Sequence, residues 1–372
     1  MKPRTPDFYL DHAATSPLRP EAKEAMLPWL DAGNASSQHR EGRRARAAID
    51  AAREVVAASM GRDFADIVFT SGGTESVVLA IMGAALGNVG RDRVLFPANE
   101  HHCVLHTAPL LQRLGFRVET IPVDAHGVAI PRTLEGDVAL VSVMHGNNET
   151  GAINDVARWQ GLAEEAGAVF HTDAVQTYSR LPVPDADLVS ISGHKVGGPK
   201  GVGVLAIRPG VSLVALSGGG GQERERRGGT EDVASIVGFG AVAGMRAYDY
   251  AGATAFRRKL VEGGAIATLS QALPHLPGIV HLRFPGQRAD TLLVRLDRAG
   301  VAASAGAACS SGSLEPSHVL MAQGCSEEEA REGVRFSFRG DEDAAFGETA
   351  ADLVLDVVRS IREPRRGGLR HT

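Results

Sequence analysis

The sequence predicts an α/β fold, with a large domain around a mainly parallel seven-stranded sheet and a smaller C-terminal α/β domain. Three observations carry this reading. Seven short, largely aliphatic runs alternate with helical stretches through the first two thirds of the chain, and such alternation yields parallel strands joined by crossover helices. Polar and glycine-bearing motifs fall directly after those runs, where ligands of parallel sheets bind. Finally, 372 residues with 44% hydrophobic and 22% charged residues suit about two domains and exclude wholesale disorder.

In chain order, Arg43–Met60 reads as a helix. The arginines at 40, 43, 44, 46 and 53 interleave with Glu41, Asp50 and Glu54 as a solvated face would. Strand Ile67–Thr70 runs through Ser71-Gly72-Gly73-Thr74 into helix Glu75–Leu86. Strand Arg93–Phe96, helix Val104–Leu114 and strands Arg117–Ile121 and Val138–Val143 follow. Helix Val156–Glu165 then precedes strands Ala168–His171, Leu188–Ile191 and Val202–Ile207. The passage from Gly218 to Gly229 reads as a flexible connection, because no lysine or phosphate-loop pattern follows its glycines. A long helical stretch from Asp232 to Leu273, strand Ile279–Phe284, helix Asp290–Ala299 and a last helix Asp341–Ile361 complete the smaller part. The tail from Arg362, with Pro-Arg-Arg-Gly-Gly, is expected to be disordered.

A formal charge of −5 argues against a nucleic-acid surface as the main task. Cys103, Cys309 and Cys325 are too few for a disulfide framework. No apolar run reaches the ~18 residues of a membrane span, and Met1-Lys2-Pro3-Arg4 opens no signal-peptide core. A soluble protein of the cytoplasm, without membrane or nucleic-acid partners, is expected.

Only five of the 39 basic residues are lysines, and two of them, Lys195 and Lys200, lie in Ser192-Gly193-His194-Lys195-Val196-Gly197-Gly198-Pro199-Lys200-Gly201. A lysine where the chain otherwise prefers arginine points to chemistry arginine cannot do, such as forming an imine. Lys195 is nearer the strand end; Lys200 competes. Asp173, ending Phe170-His171-Thr172-Asp173, is a carboxylate on a buried-type strand. It needs a cation there, or it is an ordinary strand-end cap. Thr74 and the amides around Gly73 can hold a phosphate at a helix start, although a plain capped turn gives the same pattern. Cys309 sits in Ser304-Ala305-Gly306-Ala307-Ala308-Cys309-Ser310-Ser311-Gly312-Ser313, a small-residue segment fit for an accessible nucleophile, whereas Cys103 and Cys325 read as structural. His101, His102, Cys103 and His106 resemble a metal cluster, but no second cluster at ligand spacing accompanies them. Ring stacking or proton transfer is the stronger reading, and no metal site is assigned.

The order of these motifs says more than each alone. Tyr9-Leu10-Asp11-His12-Ala13-Ala14-Thr15, Gly33-Asn34-Ala35-Ser36-Ser37, Thr70 to Ser76 and Asn99-Glu100-His101 lead. Met144-His145-Gly146-Asn147-Asn148-Glu149-Thr150-Gly151, His171 to Gln176 and Ser192 to Lys195 follow, then Gly221-Gln222-Glu223-Arg224, Gly229-Thr230-Glu231, Ala308 to His318 and Val334-Arg335-Phe336-Ser337. This series, over about residues 8 to 340, closely resembles the NifS/IscS-type cysteine desulfurases, pyridoxal-phosphate enzymes of the class V aminotransferase fold. Cys309-Ser310-Ser311-Gly312-Ser313-Leu314-Glu315-Pro316-Ser317-His318 is similar to the extended cysteine segment of their group I.

The resemblance implies a PLP-dependent transferase fold of type I, with residues 15–255 as the cofactor domain and residues 1–14 and 256–372 as the small domain. Lys195 would carry pyridoxal 5′-phosphate, Asp173 pair with its ring nitrogen and Gln176 with its ring hydroxyl. His101 would stack on the ring and move protons. Gly73, Thr74, Ser192 and His194 would hold the phosphate, with Thr230 reaching in from the other subunit of a homodimer. Asn148 would lie beside ring and substrate, and Arg335 with Asn34 would receive the carboxylate of L-cysteine. Cys309 would take the sulfur and pass it to a protein acceptor, iron–sulfur cluster assembly being the default. Small residues follow Lys195 where the family often has Phe-Tyr, and Phe338-Arg339-Gly340-Asp341 replaces the usual run after Arg335. A selenocysteine lyase or another class V enzyme would share Lys195 and Asp173 without depending on Cys309. An inert assembly scaffold would show no cofactor band.

Overall fold

The structure is a computed structural model that describes residues 7–245, 249–306 and 315–362. Strand β1 (Phe8–Tyr9) and helices α1 (Pro20–Met26) and α2 (Arg40–Met60) come first, and α2 ends where Gly61 turns left-handed at φ 63°. Strand β2 (Ile67–Thr70) leads into α3 (Gly73–Gly87), and β3 (Arg93–Pro97) into α4 (His102–Leu105) and α5 (Ala108–Arg113). The expected single helix at 104–114 is divided at Thr107. Its hydroxyl donates to the Val104 carbonyl at 2.6 Å, and Pro109 in the first turn of α5 has no amide to continue the ladder. Then come β4 (Arg117–Ile121), β5 (Val138–Ser142), α6 (Val156–Ala166), β6 (Val169–Asp173), β7 (Leu188–Ser192) and β8 (Gly203–Ile207).

β2 to β8 form one sheet in the order β2-β8-β7-β6-β5-β3-β4. β8 runs against both its neighbours, and every other pairing is parallel. The five strands β2, β5, β6, β7 and β8 are buried almost throughout, as strands covered on both faces must be. Two apolar cores flank the sheet. One packs α2, α6 and α7 (Val233–Gly240) around Trp159, Phe170 and Phe239; the other packs α3 and α5.

The expected helix from 232 to 273 is two helices, α7 and α8 (Ala251–Glu262), followed by β9 (Ile266–Ala267). α7 ends at Gly240, Gly244 at φ 79° turns the chain beyond it, and Gly264 at φ 94° turns the chain away from α8. Residues 246–248 lie outside the described residues. β10 (Ile279–Arg283), α9 (Ala289–Arg298), β11 (Val301–Ala302), α10 (His318–Ala322), α11 (Glu327–Ala330), β12 (Gly333–Ser337) and α12 (Ala344–Arg362) complete the chain. α12 starts later than expected because Glu342 accepts from the Arg339 and Gly340 amides at 3.0 and 2.8 Å, holding a turn there. Arg362, expected to open a disordered tail, instead ends α12, and residues 363–372 lie outside the described residues.

β12, β10 and β9 make a small antiparallel sheet. Its core joins α8, α9 and α12, with the Phe256 ring 4.8 Å from Phe336 and 5.3 Å from Phe338. α8 spans residue 255 and packs wholly into this core. Leu10 packs there too, while β1 pairs in parallel with β11. The amino-terminal segment thus belongs to the small core and then crosses to the large sheet.

The arginines of α2 are not all solvated. Arg53 is 2% exposed and grips Glu223 through two bonds of 2.7 Å, and its Nη1 also reaches the Ile67 carbonyl at 2.8 Å. Glu223 Oε2 accepts from the Phe69 amide at 2.9 Å. Glu223, Arg224 and Glu225 are all left-handed, at φ 46°, 55° and 64°. The passage expected to be slack is therefore strained and pinned to β2.

Candidate active site

A cavity of about 320 Å³ opens beyond the carboxyl ends of the parallel strands. Each element delivers one kind of group to it. The turn from β2 into α3 brings Gly73 and Thr74, β6 ends on Asp173, β7 ends on Ser192, and the turn after β7 presents His194 and Lys195. His101 enters from the cap of α4, Asn148 from the turn after β5, and Arg335 from β12 of the small sheet.

Lys195 donates through Nζ to the carbonyls of Ala13 and Ala14 at 2.7 and 2.8 Å. Lys200 is exposed and does not line the cavity, so geometry favours Lys195. Gln176 Nε2 donates to the same Ala13 carbonyl at 2.9 Å. Asp173, 9% exposed, accepts from the Val175 amide at 2.8 Å, and burial, only partly offset by that bond and by the Lys195 charge, raises its pKa to about 6. His101 Nδ1 accepts from the Cys103 amide at 3.2 Å, which leaves the ring proton on Nε2. Burial first, then the Lys195 charge, lowers its pKa to about 4, so the ring is neutral at physiological pH. His194 is likewise lowered to about 4, and its Nδ1 lies 3.1 Å from Thr15 Oγ1. Arg335, 3% exposed, donates to the Asn148 carbonyl at 2.8 Å and to Asp11 Oδ1 at 2.9 Å.

Gly73, Thr74, His101, Asn148, Asp173, Gln176, Ser192, His194, Lys195 and Arg335 therefore share one cavity. Asn34 does not: it is exposed, and its Oδ1 accepts from the Ser36 amide at 2.8 Å. A polar side chain in a local turn of this kind is occupied by its own backbone. Thr230 does not line this cavity but a separate cleft of about 60 Å³ beside Thr70 and Ser71. Cys309 lies outside the described residues. Cys103, read as structural, stands on the cavity wall with Sγ 3.0 Å from His101 Nδ1. Among the described residues no group of three or more histidine, cysteine or acidic side chains is placed to hold a metal ion, and no helix is long and apolar enough to cross a membrane. Sequence reasoning missed Asp11 and the Ala13 and Ala14 carbonyls, which hold Arg335 and Lys195. A backbone carbonyl carries no residue-type signal.

The profile of the family described as Aminotransferase class-V matches residues 8–345. "Cysteine desulfurase IscS" of Dictyoglomus turgidum is 38% identical, with 95% of this chain and 96% of that protein aligned. A solved "NifS-like protein" superposes with a TM-score of 0.83 at 30% identity, covering 96% of this chain and 99% of the other. "SspA in complex with cysteine" superposes at 0.79 and 33% identity, covering 89% and 99%. The chain belongs to the class-V aminotransferase family, in its NifS/IscS-type cysteine desulfurase branch.

Proposed function

We propose that the protein is a cysteine desulfurase that holds pyridoxal 5′-phosphate on Lys195, takes sulfur from L-cysteine onto Cys309 and releases L-alanine. The observation that carries this reading is the convergence of a lysine amine, a buried carboxylate and a small-residue cradle on one cavity that also receives Arg335. The fit to the cofactor rests on groups left wanting. Ser192 Oγ and Gln176 Oε1 are buried without a hydrogen-bond partner among the described residues, and buried polar groups normally have one. Asp173 has the raised pKa of a buried carboxylate whose burial the Val175 amide and the Lys195 charge offset only in part. A methyl on Gly73 would lie 2.9 Å from Val175 Cγ2 and 3.4 Å from Ser192 Cβ, so only glycine leaves the cradle open.

When bound, the cofactor supplies an electron sink for charge developing at the substrate α-carbon. Thr74, Ser192, His194 and the amides at the start of α3 would hold its phosphate, Asp173 its ring nitrogen and Gln176 its ring hydroxyl. Asn148 would flank ring and substrate, and His101 would cover the ring face. The carboxylate of cysteine would meet Arg335, whose buried guanidinium offers charge-assisted, oriented donors. Lys195 Nζ would take the α-proton, and His101 Nε2 would shuttle protons within the site. The Cys309 thiolate would then bond to the substrate sulfur as the carbon–sulfur bond breaks; carbon keeps the pair, gains a proton, and alanine leaves.

The homodimer with Thr230 donated across it, the cytoplasmic location and a protein sulfur acceptor in iron–sulfur assembly belong to the same proposal, as does the division into residues 15–255 against 1–14 with 256–372, with its second boundary moved to the start of α8, which packs in the small core. The separate cleft of Thr230 supports donation to a neighbouring subunit. The test is borohydride reduction of the holoenzyme followed by peptide mapping. The reduced adduct is expected on Lys195, and Cys309→Ala should keep the cofactor yet carry no added sulfur. An adduct on Lys200, or normal sulfur transfer by that variant, would refute the assignment.

A further inference from the structure

Cys103 takes no part in the chemistry above, yet it touches the ring that would move protons. His101 is anchored first through its backbone. Its carbonyl accepts from the Val104 and Leu105 amides at 2.9 and 3.2 Å. Its own amide donates to the buried Glu100 carboxyl, whose Oε1 also accepts from the Met144 amide at 2.6 Å. The imidazole caps α4: Nδ1 accepts from the Cys103 amide at 3.2 Å, and Cys103 Sγ stands 3.0 Å from the same nitrogen. Cys103 is itself held in place. It packs against the apolar core around α3 and α5, and it lines the main cavity together with His101.

The protons in this contact can be counted. A backbone amide only donates, so the Nδ1 lone pair faces it and Nδ1 carries no proton. The neutral ring then keeps its proton on Nε2. With no hydrogen on Nδ1, the contact with Sγ is favourable only when sulfur brings one, as a thiol does. The reverse order, an imidazolium beside a thiolate, would set a hydrogen on Nδ1 against the Cys103 amide. A half-turn of the ring fares no better, since it puts a carbon where Nδ1 stands and forfeits both bonds.

We propose that Cys103 is a positioning residue for His101: its thiol donates to Nδ1 and so keeps the ring in one orientation and one tautomer, with the proton on Nε2. The consequence lies at the far nitrogen. A donor on Nδ1 favours the neutral ring over the imidazolium. It acts in the same direction as the burial and the Lys195 charge that lower the His101 pKa to about 4. Nε2 therefore starts each turnover with its hydrogen in place, and no proton is trapped on Nδ1. The charged and titratable groups around the ring are Lys195 after β7, Asp173 ending β6 and Glu100 beside it in the chain. His102 and His106 at the two ends of α4, and His318 opening α10, complete them.

The inference rests on the reading of His101 given above. Its test compares Cys103→Ala and Cys103→Ser with the wild type as holoenzymes, in two measurements. One is the pair of ring-nitrogen chemical shifts of His101 in protein with isotope-labelled histidine, assigned by the signals that His101→Gln removes. The other is the pH profile of alanine formation from L-cysteine. The wild type should show the Nε2–H tautomer. Cys103→Ala keeps the amide and loses the thiol. It should show mixed tautomers, an acid limb of kcat/KM moved to higher pH, and kcat lower by about threefold or more, the worth of one hydrogen bond, with KM unchanged. Serine offers a hydroxyl donor but cannot carry sulfur, so Cys103→Ser should restore all of these and exclude a sulfur-relay role for Cys103. The proposal is overturned if the wild-type ring holds its proton on Nδ1, if Cys103→Ala keeps the wild-type tautomer and rate, or if Cys103→Ser falls as far as Cys103→Ala. Wild-type kcat in His101→Gln would instead strike the functional reading of His101, and this inference with it.

Discussion

Replacing Asp173 by asparagine separates what the carboxylate does for the fold from what it does for chemistry. Its pKa in the cofactor-free protein is about 6, above the ordinary carboxylate value because of burial. The native state therefore holds the proton more tightly than the unfolded chain, so this contribution to stability is complete at acid pH and is lost as pH rises through 6. The loss is on the order of 3 kcal/mol. Asp173→Asn, which can still accept from the Val175 amide, should melt higher than the wild type at pH 8 without cofactor and no higher at pH 4. With cofactor the order should invert, since asparagine has no charge to offer a protonated ring nitrogen. Calorimetry of both forms checks this, and a variant no more stable than the wild type at pH 8 without cofactor would refute it. At this scale Asp173 and Lys195 were legible, each being an unusual residue type at the end of a buried strand. Arg335 was legible only through the resemblance. Asp11 was not assigned at all, because its partner lies 324 positions away.

Among the elements, α2 and the glycine-dense passage are the sharpest departure from expectation. Charge interleaving reads as a solvated face, but it is blind to a distant carboxylate, and Glu223 lies 170 positions from Arg53. Arg53, Glu223 and the Phe69 amide tie three left-handed residues to β2, the strand that ends in the phosphate-type turn. Arg227 and Glu75 at 2.7 Å, and Arg46 and Glu231 at 2.5 Å, add two further ties around Thr230. Arg53→Ala would leave Glu223 buried and unpaired, which typically costs about 3–5 kcal/mol. Denaturant unfolding should show that loss, and adding Glu223→Gln should recover part of it. A loss below about 1 kcal/mol would mean the pair is incidental. The strands of the large sheet, by contrast, were legible nearly to the residue, because aliphatic runs covered on both faces admit few other readings, whereas β1, β9, β11 and β12 were not expected. The helices at 104–114 and 232–273 were overextended, because apolar periodicity continues across the breaks that Thr107, Pro109 and Gly244 impose.

In the whole molecule, the amino-terminal segment links the two cores at the site. Leu10 packs in the small core, Asp11 holds Arg335, and the Ala13 and Ala14 carbonyls hold Lys195 more than 180 positions away. The cavity is thus closed by groups from both parts, while Thr230 lines a separate cleft. If Thr230 serves a partner subunit, mixed dimers discriminate. Lys195→Ala and Thr230→Ala chains, impaired alone, should regain one of two sites when paired. A chain carrying both substitutions should regain none when paired with the wild type. The reverse, no recovery in the first pairing and one active site in the second, would place Thr230 in its own chain's site. The central claim is tested most directly by a single turnover of the reconstituted enzyme with L-cysteine, counting alanine and locating the added sulfur by peptide mass. The account predicts one alanine for each sulfur found on Cys309. Alanine formed with no sulfur on Cys309, or with the sulfur on Cys103 or Cys325, would contradict it.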